Sequence, residues 1–514
     1  MSNHKKQIAI GAVLSYVYIA IGAVITLLYT PFMIRILGKS EYGLYNTVAS
    51  VISSLSILSL GFGSGYIRFF SRYKVEDRKD DIAKLNGMFL IIFSVIGMIA
   101  FICGLFLSNH LELVFDTGLT NQELQKAKVL MIMLTINLAI SFPASVFTSI
   151  ITSQEQFIFQ KVIILVKQVV SPLVCIPLLL MGCGSVGMVA SSVVISLIVD
   201  IVNIVFCFSK LDTHFVFHDL PREVLKGLAI YSGFIAINMI VDQINLNVDK
   251  ILLGRFCGTE SVAVYSAGYT LYNYYHLFST SISNVFTPRI HYIWSNSEIT
   301  EKEKNRKLSM LFAEVGRIQF IVLWLVCSGL ILFGRQFIRV WAGNGYENAY
   351  YVVLLLAVAA IVPLSQNLGI EIQRAKNKHQ FRSIIYLFMA FINLGLSIYL
   401  CQIYAEIGSA IGTAVSFIVA NTIIMNLFYS RVLGLEISEY WKRCIKIVIM
   451  TIPAIIIGMV FCGIVDTFKI VFMLLGIGGY TIVFSVCIYI GVLSREERKT
   501  IIQKVWRKKY SVIF

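Results

Sequence analysis

One stretch of this chain combines polar and ionisable side chains at a spacing that could do chemistry. Asn238, Asp242, Asn245 and Asp249 are spaced four, three and four apart in an otherwise apolar segment. On a helix of 3.6 residues per turn that spacing predicts a single polar face. Gln243, Asn247 and Lys250 lie beside it. Such a face lines either a wet cavity or a helix–helix seam built from a structural Asp/Asn network. Asp242 and Asp249 are the expected places for a proton or a sodium ion.

Cations are the second set. Arg68, Lys167, Lys250 and Arg317 fall inside apolar runs, and Arg35, Arg255 and Arg289 near their ends. A guanidinium offers a planar fork to phosphate oxygens and an ammonium a point charge. Lys167 and Arg317 enter their runs by only about 10 Å at 1.5 Å per residue. Snorkelling to the headgroups is the alternative for both. The interior acids Asp200, Asp242 and Asp249 nearly balance the interior cations. Tyr265, Tyr269, Tyr272, Tyr274 and Tyr275 form a third set. Their rings and hydroxyls suit sugars, and an interfacial aromatic belt is the alternative.

The elements that position these groups follow from composition. Of 514 residues, 57% are hydrophobic and only 14% charged, and the mean hydropathy is +0.80. A soluble domain is about 45–50% apolar and about 25% charged. The chain therefore reads as an all-α polytopic membrane protein. About 14 spans are expected, at 9–34, 43–70, 85–108, 127–150, 162–181, 185–208, 227–254, 261–288, 310–333, 348–372, 383–403, 408–430, 446–465 and 470–493. A span of about 20 residues crosses a hydrocarbon core about 30 Å thick.

The net charge of +15 sits in short links, which makes it a topology signal and not a nucleic-acid footprint. The first link set (the start, 71–84, 151–161, 209–226, 289–309, 373–382, 431–446 and the tail from Ser494) carries about 31 Lys and Arg. The other side carries about 8. That bias places both termini in the cytoplasm. The first apolar run is too long for a cleaved signal's core. Seven basic residues in Arg495–Lys509 suit contact with anionic lipid, and a plain stop-transfer anchor is the alternative.

Motifs for soluble chemistry are missing. There is no G-x-x-x-x-G-K-[ST] loop, no H-E-x-x-H, no G-x-S-x-G and no C-x-x-C pair, so neither enzymatic chemistry nor a metal or other cofactor is expected. The ten cysteines read as packing residues. Gly61, Gly63 and Gly65 lie within an apolar run, where they favour a bend or a close approach. An internal repeat is suggested by IRILGKSEYGLYN, ending the first span, and DKILLGRFCGTESVAVYSA, ending the seventh. In that register Thr26 falls where Asp242 does.

These segments, with GFGSGYIRFF closing the second span and NVDKILLGRFCGTESVAVYSAGY after the seventh, resemble bacterial Wzx-type oligosaccharide flippases and polysaccharide exporters. That family lies within the multidrug/oligosaccharidyl-lipid/polysaccharide (MOP) superfamily, and the likeness extends to the MATE transporters. The resemblance implies two six-helix lobes, 1–226 and 227–444, two added helices at 445–493 and a basic tail at 494–514. It implies a central cavity and outward flipping of undecaprenyl-diphosphate-linked oligosaccharide units across the cytoplasmic membrane, for O-antigen, capsule or exopolysaccharide. A polysaccharide polymerase is the implied partner. It assigns Arg35, Arg68, Lys250, Arg255 and Arg317 to diphosphate or acidic-sugar contact. Tyr269, Tyr272 and Tyr275 are the sugar-contact candidates. The alternatives are a cation-coupled multidrug exporter, a peptidoglycan-precursor flippase, or a membrane-embedded sugar-transfer enzyme. The first span lacks the acid that cation-coupled drug exporters often carry there.

Overall fold

The computed structural model describes residues 2–59, 61–115, 118–220, 224, 236, 239–378, 380–465 and 467–499. Among them there are helices and no strands. α1 (Ser2–Ser54) is broken at Gly38, where φ is +74°. A 3-10 turn (Leu55–Ser59) and Gly61, at φ +69°, separate it from α2 (Phe62–Val75). Glycine adopts this left-handed backbone without the clash a Cβ brings. The GFGSG segment is thus a break in the second span, as its spacing suggested.

Then come α3 (Lys79–Asn109), α4 (Asn121–Ser153), α5 (Phe157–Leu180) and α6 (Gly184–Lys210). A π-helical turn, Ile244–Val248, leads into α7 (Asp249–Phe256). After it run α8 (Thr259–Ser295), α9 (Glu301–Trp341), α10 (Asn348–Ser365), α11 (Leu368–Ala375) and α12 (Gln380–Phe417). The last three are α13 (Met425–Arg431), α14 (Ile437–Ile464) and α15 (Ile470–Gly491).

Among the described residues, ten helical stretches are long and apolar enough to cross a membrane. Two of them, Leu14–Ser59 and Gln380–Arg431, each run through a break and cover two expected spans. In α12 the break is at Tyr404 and Ala405, the latter at φ +46°. The chain reverses tightly there. A Cβ on Gly408 would lie 2.0 Å from the Leu400 carbonyl oxygen, and one on Gly412 2.7 Å from Ser397 Oγ. α8 is not among the ten, since its many hydroxyl and amide residues lower its hydropathy. Residues 227–235, 237 and 238 of the expected seventh span lie outside the described residues.

Two compact units result. Unit 1 holds Met1–Gly268 and Ser383–Ser416, and unit 2 holds Tyr269–Arg382 and Phe417–Phe514. Within unit 1, α3 turns Phe93, Ile96, Gly97, Ala100 and Gly104 inward and exposes Val95, Met98, Ile102 and Phe106. The outward face is apolar because lipid, not water, solvates it. Small residues then set the helix contact. A Cβ on Gly97 would come within 2.5 Å of the Ala139 carbonyl oxygen, and one on Gly104 within 2.4 Å of Thr135 on α4. Buried polar groups find partners, as in Tyr66 Oη to Asn86 Oδ1 at 2.6 Å and Asn86 Nδ2 to the His214 carbonyl at 3.0 Å. Within unit 2, Gln319 Nε2 donates to the Ser279 carbonyl at 2.9 Å and to Ser283 Oγ at 2.6 Å.

Candidate functional site

The polar stripe of the seventh span is divided by its own backbone. The spacing of four, three and four makes one face only on an uninterrupted α-helix. The π-helical turn at Ile244–Val248 inserts an extra residue, so side chains before and after it no longer share a face. Such turns inside α-helices are frequent at functional sites. Asp242, before the turn, is exposed, and Asn245 is half-buried. Asp249, after it, is only 3% exposed. Asn238 lies outside the described residues.

Asp249 is the hub of a buried network in unit 1. Its Oδ2 accepts from Tyr265 Oη at 2.6 Å and from Thr413 Oγ1 at 2.7 Å. Thr413 also reaches Asn393 Oδ1 at 3.4 Å, and Ser397 Oγ reaches the same oxygen at 3.3 Å. Asn393, Ser397 and Thr413 are buried with Asp249. Four spans thereby meet through oxygen atoms. This is a donor set of hard oxygens that suits a proton or a small cation. Two other polar side chains of the seventh span, Gln243 and Asn247, face α1 and the turn that follows it. Gln243 Nε2 donates to Ser56 Oγ at 3.0 Å on the 3-10 turn, and Asn247 Nδ2 to Ser53 Oγ at 3.4 Å. That part of the stripe is a helix–helix seam.

The candidate cations differ in exposure. Arg35 and Arg68 are exposed, and Lys250 and Arg255 are half-buried. Arg255 lies 5.7 Å from the Phe256 ring centre. Arg317, in unit 2, points both terminal nitrogens at Glu497 in the tail, Nη1 at 3.4 Å. Its fork is held by a carboxylate. Those bonds outweigh burial and hold the Glu497 carboxyl well down, to about 2. Lys167 donates to Ser196 Oγ at 3.0 Å. The tyrosines differ in exposure. Tyr272 and Tyr275 are buried, and Tyr275 Oη donates to the Leu323 carbonyl at 3.3 Å. Tyr269, half-buried, lies 5.7 Å from Tyr272, ring centre to ring centre. Tyr265 belongs to the Asp249 network.

A second polar cluster, not anticipated from the sequence, lies where the chain turns at the ends of its spans in unit 1. Glu123 Oε1 accepts from Ser40 Oγ at 2.6 Å and Thr259 Oγ1 at 2.7 Å. Its Oε2 accepts from the Thr120 N–H and hydroxyl, both at 2.9 Å. Glu41 Oε1 accepts from Lys126 Nζ and from the Ser185 N–H and hydroxyl, each at 2.8 Å. A cavity of about 840 Å³ lies against these groups. The sequence carried one signal: Thr120 and Glu123 fit the capping-box pattern S/T-x-x-E, and the box forms. The turns offer a second register for the repeat suggested by the sequence. Gly38, at φ +74°, and Gly258, at φ +84°, each precede the next helical segment. Matching them places Tyr45 opposite Tyr265, four residues from the register set by the two L-G pairs.

The helices, their apolar outer faces and their breaks define a multi-pass α-helical membrane protein, and solved structures share its fold. The lipid II flippase MurJ, in an inward closed conformation, matches with a TM-score of 0.70 and 16% identity over 92% of this chain and 99% of that one. An inward-facing multidrug-resistance MATE transporter of the MOP superfamily matches with a TM-score of 0.68 and 14% identity, over 83% and 99%. Residues 10–294 match the family described as polysaccharide biosynthesis protein, and the chain belongs to that family. Among curated proteins it is similar to a probable low-salt glycan biosynthesis flippase, Agl15, of Haloferax volcanii. They are 21% identical over 49% of this chain, a match that spans about half of that relative, 52%. It is also similar to the uncharacterized membrane protein EpsK of Bacillus subtilis, 21% identical over 81% of this chain and 82% of that one.

Proposed function

We propose that the protein flips lipid-linked oligosaccharide units, carried on undecaprenyl diphosphate, from the cytoplasmic to the outer leaflet for surface polysaccharide synthesis. Membership of the polysaccharide biosynthesis family supports this, as does similarity to proteins named as glycan and lipid II flippases. The carrying observation is Asp242, an exposed carboxylate in the seventh span. An ionisable side chain there costs about 2.5–3.5 kcal/mol on insertion scales, so it faces a polar path and not lipid.

The lipid tail stays in the bilayer while the charged head takes the polar path. That path replaces water the head loses. The sequence halves 1–226 and 227–444 act as the two moving lobes, and their rocking exposes the head to one side and then the other. A membrane potential, negative inside, favours outward movement of an anion by about 2.3 kcal/mol per charge per 100 mV. Arg35, Arg68, Lys250 and Arg255 are the proposed contacts for the diphosphate. Arg317 has a weaker claim, because Glu497 occupies its guanidinium. If transport is coupled to a proton or sodium ion, Asp249 with Tyr265, Asn393 and Thr413 is its proposed seat.

The test is complementation in a strain whose native oligosaccharide flippase is deleted. The intact chain restores surface polymer, and Arg68→Ala or Lys250→Ala lowers it while the protein stays in the membrane. Full polymer in both variants removes those residues from the site.

A further inference from the structure

The Glu123 cluster has no part in substrate contact as described above, and its geometry is more than a helix cap needs. A capping-box glutamate reaches back to its own cap residue. Glu123 does so with Oε2. Its Oε1 goes further, to Ser40 at the start of the second span and to Thr259 at the start of the eighth. Ser40 and Glu123 lie in the sequence half 1–226 and Thr259 in the half 227–444, the two lobes of the transport reading, and all three fall within unit 1. The carboxylate therefore ties the halves together at the end that the Lys and Arg bias assigns to the outside.

The backbone at this end is shaped for the same contact. A Cβ on Gly43 would sit 1.8 Å from the Thr259 carbonyl oxygen, and one on Gly118 1.9 Å from that of Gly254. Glycine lets the backbones of the two halves approach closely at these points. Glu41, by contrast, bonds among the described residues to Lys126 and Ser185, all in the first half. It keeps that half together whether or not the halves separate. The adjoining cavity, lined by Ser40, Glu41, Glu123, Lys126, Thr259 and Glu260, brings polar groups to the clasp that can exchange its bonds when it opens.

We propose that Glu123 is a gate-positioning residue: its bond to Thr259 holds the outer end of the two halves closed and is broken and remade in each transport cycle. This rests on the transport reading above. The experiment is a distance measurement on the full chain in lipid nanodiscs, with nitroxides on genetically encoded residues at Gln125 and Glu260, so that the native cysteines stay in place. Glu123→Ala and Thr259→Val should each raise the long-distance population several-fold. Thr120→Val removes the cap within the first half and should leave the distribution as in the unaltered chain. Unchanged distributions in folded Glu123→Ala and Thr259→Val, or an equal shift in Thr120→Val, would overturn the gate. Thr259→Val keeps the test open if Glu123→Ala does not fold. Flipping is measured separately on the same samples. Its absence in the unaltered chain would count against the transport reading, while the distances still judge the clasp.

Discussion

Thr413 donates its hydroxyl hydrogen to Asp249 Oδ2 across 2.7 Å, joining positions 164 residues apart in the chain. Tyr265 donates to the same oxygen, so Asp249 organises two helices besides its own. Asp249→Ala should remove the shared acceptor of two buried hydroxyls and cost about 1–3 kcal/mol. Thermal unfolding in detergent should register the loss. Asp249→Asn keeps an acceptor oxygen and should fold nearly as well. The two roles separate there: an ion seat predicts that Asp249→Asn loses any proton or sodium dependence of transport, whereas a purely structural hub predicts unaltered transport.

The tail should respond to acid through Glu497. Its carboxyl titrates at about 2 beside Arg317, against an ordinary 4.5. A lowered pKa means that the pair supports docking fully above about pH 4.5, and that this support fades as pH falls toward 2. Hydrogen exchange at residues 494–499 should stay slow from neutral pH down to about 4.5 and rise below it. Glu497→Gln should show fast exchange at every pH. Equal protection in the two proteins would mean that the ion pair does not hold the tail.

Small residues at the α3–α4 crossing make a packing prediction. Gly104→Ala places a methyl 2.4 Å from Thr135 and should cost about 1–3 kcal/mol through overpacking. Gly395→Ala meets nothing within 4 Å and should be neutral or stabilising by up to about 1 kcal/mol, since alanine is the better helix former. Melting temperatures of the two variants should therefore move in opposite directions.

Much of the architecture was legible in the sequence because lipid demands long apolar helices with satisfied backbones. The tight reversal at Tyr404–Ala405 falls between the spans expected at 383–403 and 408–430, and the glycines at 61–65 mark a real break. The face of the seventh span was not legible. A π-helical turn has no dependable sequence signature, yet it moved Asp249 off the face of Asp242. Nor could spacing reveal that Arg317 pairs with Glu497, 180 residues away, or that Thr413 links Asp249 to Asn393. Those are tertiary choices. The Glu123 clasp was half legible: Thr120-x-x-Glu123 announces the cap, but not the reach to Thr259.

The central claim is movement of a lipid-linked sugar across a bilayer. The purified chain should be reconstituted in liposomes with a fluorescent undecaprenyl-diphosphate saccharide on the inner leaflet, and its arrival outside followed by an impermeant quencher. The account predicts flipping well above that of protein-free liposomes, reduced by Arg68→Ala and by Lys250→Ala. A rate equal to protein-free liposomes, with export of an organic cation by the same preparation, would contradict it.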